Sequence, residues 1–245
     1  MSFSGIKYIF LRELKNYYNT PIGYVFGISS LFFNFLFFFN GLLGIIPEFW
    51  RANLADIRAY LNLLPISYIL FVPAVCMRIW SEERKQGTFE LLSSLPLRDS
   101  ELVLGKFLAA WLFVGGLLFA AIPLTVSIYL IGPLDPGATF AMFLGSFLMA
   151  GAYTATGMVI SALTREQIVA FIAAFFVNLL MFVGNYFVIT RGLPLKISRW
   201  VGFFSYGYHF ESFSRGLIEL GDVVYYISFI GLMLVINVWL IRRER

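Results

Sequence analysis

From Phe107 to Ile131 the chain carries no Asp, Glu, Lys or Arg, and the same holds from Tyr24 to Ile46, Leu61 to Met77, Ala138 to Leu163, Ile168 to Ile189 and Val223 to Ile241. A hydrocarbon core about 30 Å thick takes about 20 apolar residues at 1.5 Å each. These runs predict an all-α integral membrane protein with six transmembrane helices. Pro21 sits just ahead of the first run as a helix-start signal, Pro65 and Pro73 fall inside the shorter second, and Gly115, Gly116 and Pro123 interrupt the third. Composition agrees: 60% of residues are hydrophobic, mean hydropathy is +0.82 and 13% are charged, where a soluble domain carries about 25%.

Six crossings put both termini on one side. Lys7, Arg12 and Lys15, five cations between Arg78 and Lys106, Arg165, and Arg242, Arg243 and Arg245 make twelve of the 18 Lys and Arg on that side. By the positive-inside rule both termini are cytoplasmic, in a multi-pass protein of the cell (inner) membrane. The same bias accounts for the net charge of +4, so nucleic acid is not expected as a partner. The amino-terminal segment 1–20 carries charge where a signal peptide would be apolar. Phe3, Ile6, Phe10, Leu14 and Tyr17 instead recur at steps of three and four, predicting an interfacial amphipathic helix.

With these boundaries no Asp, Glu, Lys or Arg lies within a span, which argues against an ion-coupled transporter. Neutral polar residues at depth, Asn34, Asn40, Thr154, Asn178 and Asn185, are candidates for a pathway or for bonds between helices. Gly145, Ala150, Gly151, Ala152 and Gly157 allow close helix approach in the fourth span, to the same chain or another.

The stretch RIWSEERKQGTFELLSSLPLRDSELVLGK, Arg78 to Lys106, is the exception to this apolar pattern. Ser81 to Leu92 reads as a short amphipathic helix on the cytoplasmic face with Glu82 and Glu83 near its start. Pro96 ends it, and Asp99 or Ser100 caps the next span. No G-x-x-x-x-G-K-[ST] occurs, so the chain has no phosphate-cradling loop of its own. With one histidine, His209, and one cysteine, Cys76, metal cages and Cys-His pairs are not expected. The Glu82-Glu83 pair lacks the further Arg and the histidines of glutamate-type intramembrane proteases.

Arg78, Glu82, Glu83, Arg84, Gly87, Thr88, Glu90, Leu91 and Leu92, then Leu95-Pro96 and Leu104-Gly105-Lys106-Phe107, resemble the signature of type-2 ABC export permeases. The stretches Thr20 to Tyr24 and Gly216 to Tyr225 look most similar to the gliding-motility-type branch. The resemblance implies one permease domain over 1–245 whose segment 78–100 is a coupling helix docking on a separate nucleotide-binding subunit. That subunit, and not this chain, binds ATP and Mg. Glu82, Glu83, Arg84, Gly87, Thr88, Glu90, Leu91 and Leu92 are the implied contacts, with Thr164, Arg165, Glu166 and Gln167 as a second. It also implies a second permease chain, identical or related, the lipid bilayer as surroundings, and an extracytoplasmic accessory protein as a further candidate partner.

The segment 190–222 is too polar to span and too apolar for a simple loop. Its aromatics suit the membrane interface, and the resemblance implies paired re-entrant outer helices there. His209 reads as a polar contact, since no second metal ligand accompanies it. Two other functions stay open on sequence grounds: an ATP-independent channel or carrier, and a membrane anchor recruiting cytosolic proteins through the charged loop.

Overall fold

The computed structural model describes residues 3–41, 56–88, 98–132, 134–190 and 195–243. Those residues are helical and contain no strand. In chain order the helices are α1 (Phe3–Asn19), α2 (Pro21–Asn40), α3 (Arg58–Cys76), α4 (Arg78–Lys85), α5 (Asp99–Phe119) and α6 (Ile122–Ile131). Then follow α7 (Pro136–Leu163), α8 (Gln167–Thr190), α9 (Leu195–Phe204), α10 (Tyr206–Ser214) and α11 (Leu220–Arg243). Among the described residues six helical units are long and apolar enough to cross a membrane: α2, α3 with α4, α5 with α6, α7, α8 and α11.

Local sequence explains where these helices begin and break. Asp135 caps α7, its carboxylate accepting the amides of Gly137 at 2.9 Å and Ala138 at 3.3 Å, with Pro136 at the first helical position. Pro123 separates α5 from α6, because it has no amide to continue the ladder. Pro65 and Pro73 stay inside α3. Tyr153 donates to the Pro65 carbonyl at 3.3 Å and Met77 N–H to the Pro73 carbonyl at 2.8 Å.

Helix α7 is the centre of the bundle and packs against α3, α5, α8, α10 and α11. Its glycines make that possible. A Cβ on Gly145 would meet Phe213 of α10, one on Gly151 would meet Ile230 of α11 and Trp111 of α5, and one on Gly157 would come to 2.8 Å of Cys76 Cβ in α3. The close approach expected of this span is thus made within the chain. α3 and α7 are mostly buried, whereas α2, α8 and α11 turn apolar faces outward, with Phe32, Phe176, Leu180 and Val235 exposed. For a membrane protein such faces need lipid or another helix, not a solvent explanation.

Two span boundaries differ from the sequence expectation. The third span was expected to start after Lys106, but α5 starts at Asp99, so Asp99, Glu101 and Lys106 belong to its helix. The charged helix was expected over Ser81 to Leu92 and ended by Pro96. Its described part instead continues span two almost without interruption from Arg78 to Lys85. It stops at Gly87, whose φ of 70° lies in the left-handed region that favours glycine, while Thr88 N–H bonds back to the Glu83 carbonyl at 3.0 Å. Arg84 and Lys85 therefore occupy the last turn, where the helix dipole favours cations. The cap of α5 is Arg98 rather than Asp99 or Ser100, and its amide donates to Glu101 Oε2 at 3.4 Å.

Candidate functional site

A large group of charged residues meets at one end of the bundle, called here the basic end. It comprises α1, α4, the start of α5 and the α7–α8 junction. α1 lies across α5 because Gly105 lets Ile9 come within 2.7 Å of where a Cβ would stand. The packed face of α1 is thus centred on Ile9, 2% exposed, and it includes Glu13.

An acid is tolerated on that face because Lys106 waits opposite. Lys106 is buried, and its ammonium lies 2.6 Å from Glu83 Oε1, 3.6 Å from Glu13 Oε1 and 3.0 Å from the Ile79 carbonyl. It also sits 4.8 Å from the Trp80 ring centroid. Arg12 closes the group, bonded to Glu13 at 2.6 Å and 3.9 Å from Glu83. Burial alone would raise the Glu13 pKa, but Lys106 and Arg12 outweigh it and hold the carboxyl below its usual range. One ion cluster thus joins α1, α4 and α5. Beside it lies a polar cavity of about 530 Å³ lined by Lys15, Asn16, Thr20, Arg78, Glu82 and Gln86, among others.

The two segments expected to form contacts stand side by side. Lys85 Nζ meets Glu166 Oε2 at 3.0 Å, joining α4 to the α7–α8 junction. That junction is built locally: Thr164 Oγ1 accepts the Glu166 amide at 3.1 Å, and the Glu166 carbonyl receives Ala170 N–H at the start of α8. Lys85, Gln86, Gly87, Arg165 and Glu166 are exposed. Glu82 is held by Arg78 through two of its three guanidinium nitrogens, Nε at 2.6 Å and Nη2 at 2.5 Å. The Glu83 carboxylate turns inward onto Lys106. Glu90, Leu91 and Leu92 lie outside the described residues. As an exposed ion pair, Lys85–Glu166 contributes at most about 1 kcal/mol. Glu166→Gln is accordingly expected to leave the thermal midpoint of the purified chain within a degree or two of the parent's, and a larger drop would mean the pair is structural.

The described neutral polar candidates that form hydrogen bonds make them to different partners. Asn34 crosses to α3, donating to Ser67 Oγ at 3.3 Å and to its own helix at Ser30 O. Asn40 and Thr154 bond carbonyls of their own helices, Leu36 at 2.9 Å and Ala150 at 2.7 Å. Asn178 is fully buried on the face of α8 that also carries Ala170 and Ala174. The Asn185 side chain lies outside the described residues.

At the opposite end α9 and α10 form a pair packed on α8 and α7 and joined to α11. His209 is a polar contact, as expected, but its partner is a carboxylate the sequence reading passed over. Nδ1 lies 2.7 Å from Asp222 Oδ1 and Nε2 3.1 Å from the Phe203 carbonyl, with the Tyr225 ring stacked at 3.7 Å. Each ring nitrogen thus has an oxygen within hydrogen-bond distance. Tyr206 and Thr156 hydroxyls meet at 2.7 Å, and Tyr226 donates to the Tyr206 carbonyl at 2.9 Å.

Among the described residues there is no group of His, Cys, Asp and Glu placed to hold a metal ion. The family model for ABC-2 type transporters matches residues 4–218. No curated protein sequence matches the chain.

Proposed function

The chain belongs to the ABC-2 type transporter family and is a transmembrane permease component, and from that premise we propose that it couples ATP hydrolysis on a separate nucleotide-binding subunit to export of a substrate across the cytoplasmic membrane. The observation that carries this reading is the pairing of α4 with the α7–α8 junction at the basic end. Two exposed segments, from different spans, stand together on the side that the positive-inside rule assigns to the cytoplasm. A subunit that closes on ATP and moves such a platform displaces α3 and α7, the two most buried spans, as levers.

In this reading Lys85, Gln86, Gly87, Arg165 and Glu166 meet the ATPase directly. Glu83 acts by anchoring α4 to α5 and α1, and Glu90, Leu91 and Leu92 extend the contact. ATP and Mg are held by the partner. The outward faces of α2, α8 and α11 leave room for a second permease chain, identical or related, with lipid around the pair. α1 lies at the cytoplasmic interface, and α9 with α10 forms the re-entrant pair near the exit, where an accessory protein would engage. The stretches Thr20 to Tyr24 and Gly216 to Tyr225 favour the gliding-motility-type branch. Uncharged spans suit lipids, amphiphiles or glycan chains as cargo.

The test is gentle purification from the native membrane after crosslinking, followed by mass spectrometry and an ATPase assay. A P-loop ATPase is expected to accompany the chain. The double charge reversal Lys85→Glu and Glu166→Lys, which keeps the pair within the chain, is expected to lower its recovery about tenfold, as loss of about 1.4 kcal/mol would. A chain that arrives without an ATPase would overturn the reading in favour of a carrier or an anchor.

A further inference from the structure

Ser161 lies in the last turn of α7, and its side chain is fully buried. A serine hydroxyl has one proton to donate and two lone pairs, and here all three meet one short segment of another span. Oγ donates to the Met77 carbonyl at 3.0 Å and accepts the amides of Trp80 at 3.1 Å and Ser81 at 3.3 Å. That segment is the break at which α3 gives way to α4.

The break needs such a partner. Within a continuous helix the Ser81 amide would bond the Met77 carbonyl. In this chain that carbonyl is occupied by two hydroxyls, those of Ser161 and Ser81, while the Ser81 amide turns to Ser161. A side chain inserted into the ladder is a recognised cause of a bend. It reaches the backbone because α7 comes close there: Gly157, one turn earlier on the same face, brings Cys76 Cβ to 2.8 Å of where a Cβ would stand.

The geometry points to Ser161 as the positioning residue that fixes the angle at which α4 leaves the bundle, making α4 and residues 164–167 a single docking platform for the ATPase. Lys85–Glu166 ties the far end of α4 to the same junction. Being exposed, that pair orients weakly, whereas the Ser161 bonds are buried and leave two amides unsatisfied if the hydroxyl is removed. Alanine at 161 frees α4 to pivot about Met77, and threonine keeps the hydroxyl.

This inference rests on the coupling role proposed for α4, but its test reads the angle of α4 by itself. Spin labels are placed on Gln86→Cys and Arg243→Cys, both exposed positions. The native Cys76 is buried and escapes labelling. Labelled chains are diluted with unlabelled ones in lipid nanodiscs, and distances are measured by pulsed electron resonance. Ser161→Ala is expected to broaden the distance distribution, and Ser161→Thr to restore the parent's width. Amide exchange of residues 78–85 is expected to rise about tenfold in Ser161→Ala, the effect of one lost hydrogen bond, with α3 and α7 unchanged. An unchanged distribution together with unchanged exchange overturns the assignment. So does exchange rising equally throughout the chain, which marks a general loss of folding. A freed α4 with full ATPase-coupled transport would instead overturn the coupling role and leave the clasp standing.

Discussion

Replacing Lys106 with methionine is expected to destabilise the chain by about 3–5 kcal/mol, the usual cost of removing one partner from a buried ion pair. Methionine fills much of the same volume, so the loss is electrostatic. Glu83 and Glu13 would be left facing each other without their shared cation, and the Ile79 carbonyl would lose its donor. The damage should be local at first, releasing α1 from α5 and loosening the root of α4. Thermal unfolding in detergent, followed by scanning fluorimetry, measures the total, and protease access to α1 reports the local part. The triple variant Lys106→Met, Glu83→Gln, Glu13→Gln should recover most of the stability, because the buried charges are then removed together and the Arg12 side chain left behind is 42% exposed. A midpoint for Lys106→Met equal to the parent's would sink the account. The pH dependence of the Glu13 contribution has a definite sign. Glu13 is held below its usual range in the folded chain, so its contribution is present above the unfolded carboxylate's pKa. It is lost as pH falls through the lower folded value. The part of the α1 attachment that Glu13 supplies should therefore weaken in acid and not in base.

Gly145→Val should be nearly as damaging at the other end. Even a single methyl there would lie 2.4 Å from Phe213 Cγ and 2.6 Å from its Cβ. The obstruction is the root of the side chain, so a change of rotamer cannot relieve it and α10 must lift from α7. Overpacking of this kind costs about 1–3 kcal/mol for small additions, and valine adds more than one methyl. Truncating Phe213, itself fully buried, costs about 3–5 kcal/mol. The pair Gly145→Ala with Phe213→Ala should cost clearly less than the sum of the two, because they share the contact. Gly231→Ala provides the control. Nothing stands within 4 Å of its added Cβ, so that change in mid-helix should be neutral or stabilise by up to about 1 kcal/mol. Equal losses at 145 and 231 would mean that α10 is not seated as described.

The spans were legible in the sequence because lipid tolerates few charges, and runs free of them are hard to mistake. Their ends were less legible for the same reason. Lys106 was taken as the edge of a span because a lone ammonium belongs outside one, yet Glu83 and Glu13, 23 and 93 residues away in the chain, neutralise it within the helix bundle. Neither distance leaves a local signal. Helix α4 was recognisable by its charges, but not its stopping point, since Gly87 acts through a backbone torsion and Pro96 is the louder signal. Ser161 was invisible: a serine among alanines and glycines looks like one more small residue until the broken helix it serves lies beside it. His209 was correctly read as a polar contact, but the search was for metal ligands, and Asp222 is a hydrogen-bond partner instead.

The junction of α9 and α10 also bears on how the chain is made. Its polar groups are satisfied from α11: Asp222 meets His209, Tyr225 donates to the Phe204 carbonyl at 2.8 Å, and Tyr226 to that of Tyr206. Synthesis proceeds from the amino terminus, so α9 and α10 leave the ribosome before any of these partners exists. The α9–α10 pair cannot settle until α11 has been threaded into the bilayer. A nascent chain arrested ahead of Leu220 should therefore leave residues 195–214 open to protease, and release of the arrest should hide them. Insertion of α11 is thus the step that completes the α9–α10 end of the bundle.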